Sequence, residues 1–315
     1  MISVALCTYN GQEYIEAQLL SIIQQDMSVD EIIVSDDCSC DDTIKIVKNI
    51  ADKYPQISWS IVEHTRNIGV VKNFEEAIST CSGDIIFTAD QDDIWLPYKV
   101  RTISSFFEQC PTISVVFTDA ILIKDDGKRL SEHTLWEAIC FSPFIPLWEA
   151  GCGFEMFNFH NMATGATMAI RKSFYDKIPP FLCNKHIIHD YQLALAGILS
   201  DAISIIPQPL IKYRIHQHNT IGVQKDNWIF QQDSQSPLTD VALYTEPYPI
   251  NPYVRYYCEQ MKIKPPYIYT QRIAKYATIG GKLWLLLHFT EYKKRYKQFW
   301  RSFFSSDILY GIIKR

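Results

Sequence analysis

The chain has 315 residues, 47% of them hydrophobic, which suits one large folded domain or a domain with an appendage and excludes global disorder. Its net charge of −5 is unevenly spread: residues 272–315 hold ten lysines and arginines against Glu291 and Asp307, a net +8 that leaves −13 for residues 1–271. An acidic body with no binding motif argues against a nucleic-acid partner, while the basic tail points to an anionic surface such as a membrane.

The opening stretch MISVALCTYNGQEYI lacks a basic n-region and its apolar run breaks at Thr8, so no signal peptide is expected. Nine cysteines are scattered, and Cys38 and Cys40 have no second close pair to complete a zinc site. They read as reduced thiols, which sets the expected compartment as cytoplasmic. The longest apolar approach to a span, LWLLLHF at 283–289, falls well short of the about 18 residues a bilayer requires.

Residues 2–7 read as a buried strand. Asn10 with Glu13 has the form of a capping box, and Ile15, Leu19, Ile22 and Ile23 follow at helical spacing. A second strand begins at Glu31 and ends in Asp36 and Asp37; Asp41 and Asp42 can cap the helix from Thr43 toward Tyr54. A third strand starts at Ile57, and a helix covers about Val70 to Thr80. The fourth strand, DIIFTAD, runs into Asp90, Asp92 and Asp93, and Pro97 suits the first turn of another helix. A fifth strand covers 113–120. Continuous apolar strands alternating with helices predict a mostly parallel α/β sheet covered on both faces, with ligands beyond the carboxyl ends of its strands. The polar clusters fall at those ends. Residues 131–162, rich in aromatics and without a clean period, read as a long irregular insertion, either a packed loop or the wall of an acceptor pocket.

Neither G-x-G-x-x-G nor a phosphate loop ending in Gly-Lys-Ser/Thr is present, so a nucleotide would be held another way. CTYNGQEYIEAQLLSIIQQ, EIIVSDDCSCDDT, HTRNIGVVKNFEEAI and GDIIFTADQDDIWLPYKV resemble the N-terminal half of family 2 glycosyltransferases, which have the GT-A fold. TGATMAIRKSF, IIHDYQLALA and LIKYRIHQHNTIG resemble the downstream motifs of its rhamnosyltransferase-like branch. The resemblance covers residues 1–223, leaving 224–315 as an aromatic and basic extension, expected to be helical and to meet a membrane or pack on the catalytic domain.

It implies an inverting transfer of rhamnose or a hexose from a UDP- or dTDP-sugar to a glycan or lipid-linked glycan, in surface-polysaccharide biosynthesis at the inner face of the cell membrane. It also implies a divalent cation, Mn or Mg. Hard cations take carboxylate and phosphate oxygens and offset the charge of a leaving diphosphate. By the same resemblance Asp92, Asp90 and His216 are metal residues, with His218 the rival of His216 and Asp93 a buttress. Thr8, Tyr9, Glu13, Asp36, Asp37, Arg66, Asn67, Asp90 and Gly165 line the donor, and Asp190 is the catalytic base. Glu13 has a competing role in the capping box, and Asp190 one as a helix cap. In the tail, Tyr292, Tyr296, Phe299 and Phe303 recur at helical spacing beside Lys293, Lys297 and Arg301, as in an interfacial helix. A nucleotidyltransferase and a non-catalytic nucleotide-sugar-binding module are the alternative readings.

Overall fold

The computed structural model describes residues 1–139, 141–149, 151–159, 161–184, 187–217 and 250–263. The elements in chain order are β1 (Ile2–Thr8), α1 (Ile15–Ile23), β2 (Glu31–Asp36), α2 (Thr43–Lys53), β3 (Ser58–Glu63), α3 (Val70–Thr80), β4 (Ile85–Asp90), β5 (Ile94–Trp95), α4 (Lys99–Gln109), β6 (Val115–Ile123) and β7 (Arg129–Thr134). They continue with α5 (Leu135–Ala138), α6 (Ile145–Glu149), α7 (Gly153–Phe159), β8 (Ala169–Arg171), α8 (Lys172–Tyr175), α9 (His189–Leu199), β9 (Ile203–Arg214) and α10 (Pro252–Gln260). The chain divides into two compact units. The first comprises Met1–Leu135 and Ala163–His216; the second takes Trp136–Met162 and the described residues from Gln217 on.

The first unit is built on a nine-stranded sheet in the order β3-β2-β1-β4-β8-β6-β9-β5, with β7 paired to β6. Its first half is parallel, as the sequence predicts. The sheet as a whole is mixed, because β8 inserts antiparallel between β4 and β6 and the two-residue β5 pairs antiparallel with β9. Val4, Ala5 and Leu6 in β1 and Ile32 and Val34 in β2 are fully buried, which is why these strands are continuous apolar runs. Each such aliphatic side chain contributes about 1.5–3 kcal/mol of burial. Helix α9 is buried along His189–Gly197, so it lacks the apolar–polar stripe of a surface helix.

Two local expectations are corrected. The Asn10–Glu13 capping box does not form: α1 starts at Ile15 behind Tyr14, with no side-chain cap, and Asn10 stands at φ 49°. Its side-chain carbonyl instead accepts the Cys40 N–H at 2.9 Å. Pro97 also precedes its helix, since Tyr98 is the N-cap of α4.

The second unit overturns the irregular insertion. After the β6–β7 hairpin the chain forms α5, a 3-10 turn at Ser142–Phe144, α6 and α7. Each is under two turns long, too short to write a helical period. Their aromatics pack on one another: Trp136 meets Phe141 edge to face at 4.8 Å between ring centroids, and Trp148 meets Phe157 tilted at 5.9 Å. The Asn251 side chain caps α10, whose Val254, Tyr257 and Cys258 are buried. Among the described residues the cysteines are free thiols, and no helix is long and apolar enough to cross a membrane. The basic stripe of 272–315 lies outside the described residues.

Candidate functional site

Parallel register sets the site. Thr8 pairs with Asp36, and Cys7 with Asp90, so β1, β2 and β4 end level with one another. The loops that follow are clasped together. The Gln91 side chain accepts the Tyr9 N–H at 2.7 Å and donates to the Tyr9 carbonyl at 2.9 Å, tying the aspartate turn to the first loop. A Cβ on Gly11 would fall 2.1 Å from Gln91 Oε1, so a side chain there would break this clasp. The Gly11 N–H donates to Thr43 Oγ1 at 2.7 Å, and the Gln12 N–H to Asp41 Oδ2 at 3.1 Å.

Beyond β4, the β5–β9 pairing brings the end of β9 against the aspartates. Asp92 Oδ2 stands 2.7 Å from His216 Nε2, across 124 residues of chain. Asp93 is fully buried and accepts the Arg214 N–H at 2.9 Å through Oδ1, so it buttresses the turn. Arg214 donates to the carbonyls of Asp92, Lys124 and Asp125, and its guanidinium lies 4.6 Å from the Tyr14 ring. The Tyr14 and His216 ring centroids are 5.0 Å apart. His218 lies outside the described residues.

Asp190 opens α9 and is buried. Its Oδ2 accepts the Gly165 N–H at 3.2 Å, and its Oδ1 accepts the Tyr191 N–H at 2.5 Å; the carboxylate is aimed, but the expected helix cap does not form, since α9 starts at His189 behind Ile188 with no side-chain cap. Gly165 begins a 3-10 turn, Gly165–Thr167, and its carbonyl takes the Thr88 hydroxyl. A Cβ on Gly165 would lie 2.5 Å from His189 Nε2, so only glycine allows this approach. His189 stacks on Phe74 at 3.8 Å; burial holds it at about 3, and neither ring nitrogen has a partner.

The electrostatics are those of crowded acids. Loss of solvent, then the carboxylates of Asp92 and Asp190, push Asp90 up to about 8. Burial brings Lys99 down to about 7 against the pull of Asp93 and Asp90. Burial and the same four aspartates hold the Tyr213 phenol well above its ordinary range. Such a cluster favours an arriving cation.

The expected donor residues divide. Thr8 is buried and donates to Asp36 Oδ1 at 2.7 Å, while Asp36 also takes the Ser39 hydroxyl and N–H. Asp37 takes the Ile68 and Gly69 N–H groups at 2.5 and 3.0 Å, fixing the loop before α3. Both carboxylates therefore also hold their own loops. Tyr9 and Glu13 are exposed. Arg66 and Asn67 belong to another opening, a cleft of about 960 Å³ along α3 shared with Lys72, Glu76 and Tyr175 and lined by none of Asp90, Asp92, Asp190 or His216. Sequence reasoning missed Lys99, Tyr213, Gln91 and Tyr14. The long-range β1–β4, β5–β9 and β4–β8 pairings give them roles.

Among the described residues no three His, Cys, Asp or Glu side chains converge as a closed metal cage. Asp92 and His216 offer an open pair, the sort that a hard cation completes with water and phosphate oxygens.

Known proteins share this architecture. Mannosyltransferase PcManGT from Pyrobaculum calidifontis, solved with GDP-Man and Mn2+, superposes with a TM-score of 0.53 at 16% identity, over 99% of this chain and 84% of that one. S. aureus TarS 1–349 with UDP-GlcNAc gives 0.51 at 18% identity, over 70% of this chain and 61% of that one. By sequence, an uncharacterised mycobacterial protein from Mycobacterium tuberculosis is 29% identical over 221 residues; the match spans 69% of this chain and 59% of the relative's length. The dTDP-rhamnosyl transferase RfbG of Shigella flexneri is 27% identical over 227 residues, 69% of this chain and 73% of the relative. The profile of glycosyl transferase family 2 matches residues 3–178, more than half of the sequence. The fold and that match together place the chain in glycosyl transferase family 2.

Proposed function

We propose that the chain is a metal-dependent, inverting glycosyltransferase. It moves rhamnose or a hexose from a UDP- or dTDP-sugar to a hydroxyl of a glycan or lipid-linked glycan, in surface-polysaccharide assembly at the inner face of the cell membrane. One observation carries the reading: Asp92 and His216 meet at 2.7 Å beside Asp90 and Asp190, at the carboxyl ends of the strands. Family membership and the likeness to a dTDP-rhamnosyl transferase support the donor class. The Mn2+ in PcManGT supports a divalent cation.

Asp92 and His216 would hold that cation, with Asp90 supporting it. When bound, it offsets the negative charge that grows on the departing diphosphate. Asp190 acts on the other reactant. The Gly165 and Tyr191 N–H groups fix the direction in which its carboxylate meets the acceptor hydroxyl. As the acceptor oxygen bonds to the anomeric carbon, the bond from that carbon to the diphosphate oxygen breaks and the hydroxyl proton passes to Asp190. A single displacement inverts the configuration. Thr8, Asp36, Asp37 and the Gly165 turn shape the donor side, with Tyr9 and Glu13 reaching it from the loops. Membrane contact is assigned to the basic 272–315 segment on its sequence alone.

The test is a panel of UDP- and dTDP-sugars with Mn2+ and oligosaccharide acceptors. Nucleoside diphosphate release and the anomeric configuration of the product are followed by NMR. Inverted product is expected. Retained configuration refutes the single displacement, and release of pyrophosphate from a nucleoside triphosphate and a sugar 1-phosphate, run as a parallel assay, identifies a nucleotidyltransferase instead.

A further inference from the structure

Lys99 lies seven residues after Asp92, at the first position of α4, and a lysine is ordinarily solvated. Here it is fully buried. Its Nζ lies 3.9 Å from the centroid of the Trp95 ring and donates to the Ala166 carbonyl at 2.8 Å. Ala166 is the middle residue of the Gly165–Thr167 turn, and the Gly165 N–H of that turn holds Asp190 Oδ2.

The charge of Lys99 has a counterpart. Asp93 is fully buried, and its Oδ2 has no hydrogen-bond partner. Burial and the carboxylates of Asp92 and Asp90 push its carboxyl well above the ordinary range, and the field of Lys99 opposes that shift. Asp93 in turn holds Arg214, two residues before His216. The turn that aims Asp190 is thus held by one ammonium group. Its burial excludes contact with substrate.

We propose that Lys99 is a positioning residue. Hydrogen-bonded to the Ala166 carbonyl, it sets the Gly165–Thr167 turn and, through the Gly165 N–H, the direction of the Asp190 carboxylate. The catalytic part of this inference rests on the reading of Asp190 as the base; the structural part does not.

Lys99→Met alone leaves Asp93 uncompensated and is expected to unfold more readily, so the informative variant is the charge-free pair K99M D93N, with D93N as control. In the purified full chain, thermal unfolding, donor KM, kcat and amide hydrogen exchange of residues 163–168 are measured. The pair is expected to recover most of the Tm lost by K99M. Its kcat should nonetheless fall about 100-fold, the scale of an ångström-sized misplacement, with donor KM close to wild type. Exchange at 163–168 should quicken relative to D93N. A pair that turns over like D93N, a loss carried by donor KM, unchanged exchange, or failure of the pair to fold while D93N folds would each overturn the proposal. Wild-type protein that releases no nucleoside diphosphate refutes the transferase reading, and the exchange measurement still judges the turn.

Discussion

Gly165→Ala probes the tightest contact in the site. The added methyl would sit 2.5 Å from His189 Nε2, 3.2 Å from His189 Cε1 and 3.6 Å from Asp190 Cβ. The imidazole has little freedom to yield, because it is buried and stacked on Phe74 at 3.8 Å. The turn must move instead, stretching the 3.2 Å bond from the Gly165 N–H to Asp190. Overpacking of this kind costs about 1–3 kcal/mol, which in a unit of this size lowers Tm by roughly 2–12 °C. Reorienting the carboxylate should lower kcat by up to about 100-fold while nucleotide affinity holds. Thermal denaturation and steady-state kinetics of Gly165→Ala, His189→Ala and the pair complete the assay. Removing the ring vacates the space, so the pair should be more stable than the two single losses predict, by about 0.5–3 kcal/mol. Wild-type Tm and kcat in Gly165→Ala, or strict additivity in the pair, would refute the steric argument.

Asp190→Asn should keep the fold and nucleotide binding while kcat drops about 10²–10⁴-fold, as measured by product release; full turnover would remove Asp190 from the base role. Asp92→Ala should abolish the Mn2+-dependent part of UDP or dTDP stabilisation, which at ligand 100 times Kd is worth about 2.7 kcal/mol in thermal-shift assays. An unchanged metal-dependent shift would count against the cation site. His189 is held at about 3 in the folded protein against its ordinary 6.5, so the unfolded chain binds the extra proton. The stability contributed by a neutral His189 is complete above pH 6.5 and is lost as pH falls toward 3. Between pH 7 and pH 5 the loss is about 2 kcal/mol, and His189→Leu should flatten urea-derived stability over that window by the same amount. Equal slopes in both proteins would show that the imidazole is solvated.

Much of the first half of the site is legible because its causes are local. The runs at Ile2–Thr8, Glu31–Asp36 and Ile85–Asp90 are apolar and end in acids or hydroxyls, and a buried parallel strand has to end where its polar residues begin. The α3 bounds, Val70–Thr80, follow from helical spacing alone. The Asn10–Glu13 pattern misleads because Asn10 has a competing partner, the Cys40 N–H, 30 residues away. The second unit misleads because each of its helices is shorter than the period that would announce it.

Sequence alone determined the residue types and the order of the strand-end acids, since hydrophobic runs, turns and charge are written along the chain. Tertiary structure decided which of those groups meet. An antiparallel β5–β9 pair carries His216 to Asp92, and a turn before β8 lends its N–H to Asp190. It also decided that the charged Lys99 is buried. That outcome depends on the Ala166 carbonyl, 67 residues away, arriving to offset its desolvation beside Asp93 and the Trp95 ring, and no window of neighbouring residues contains that carbonyl.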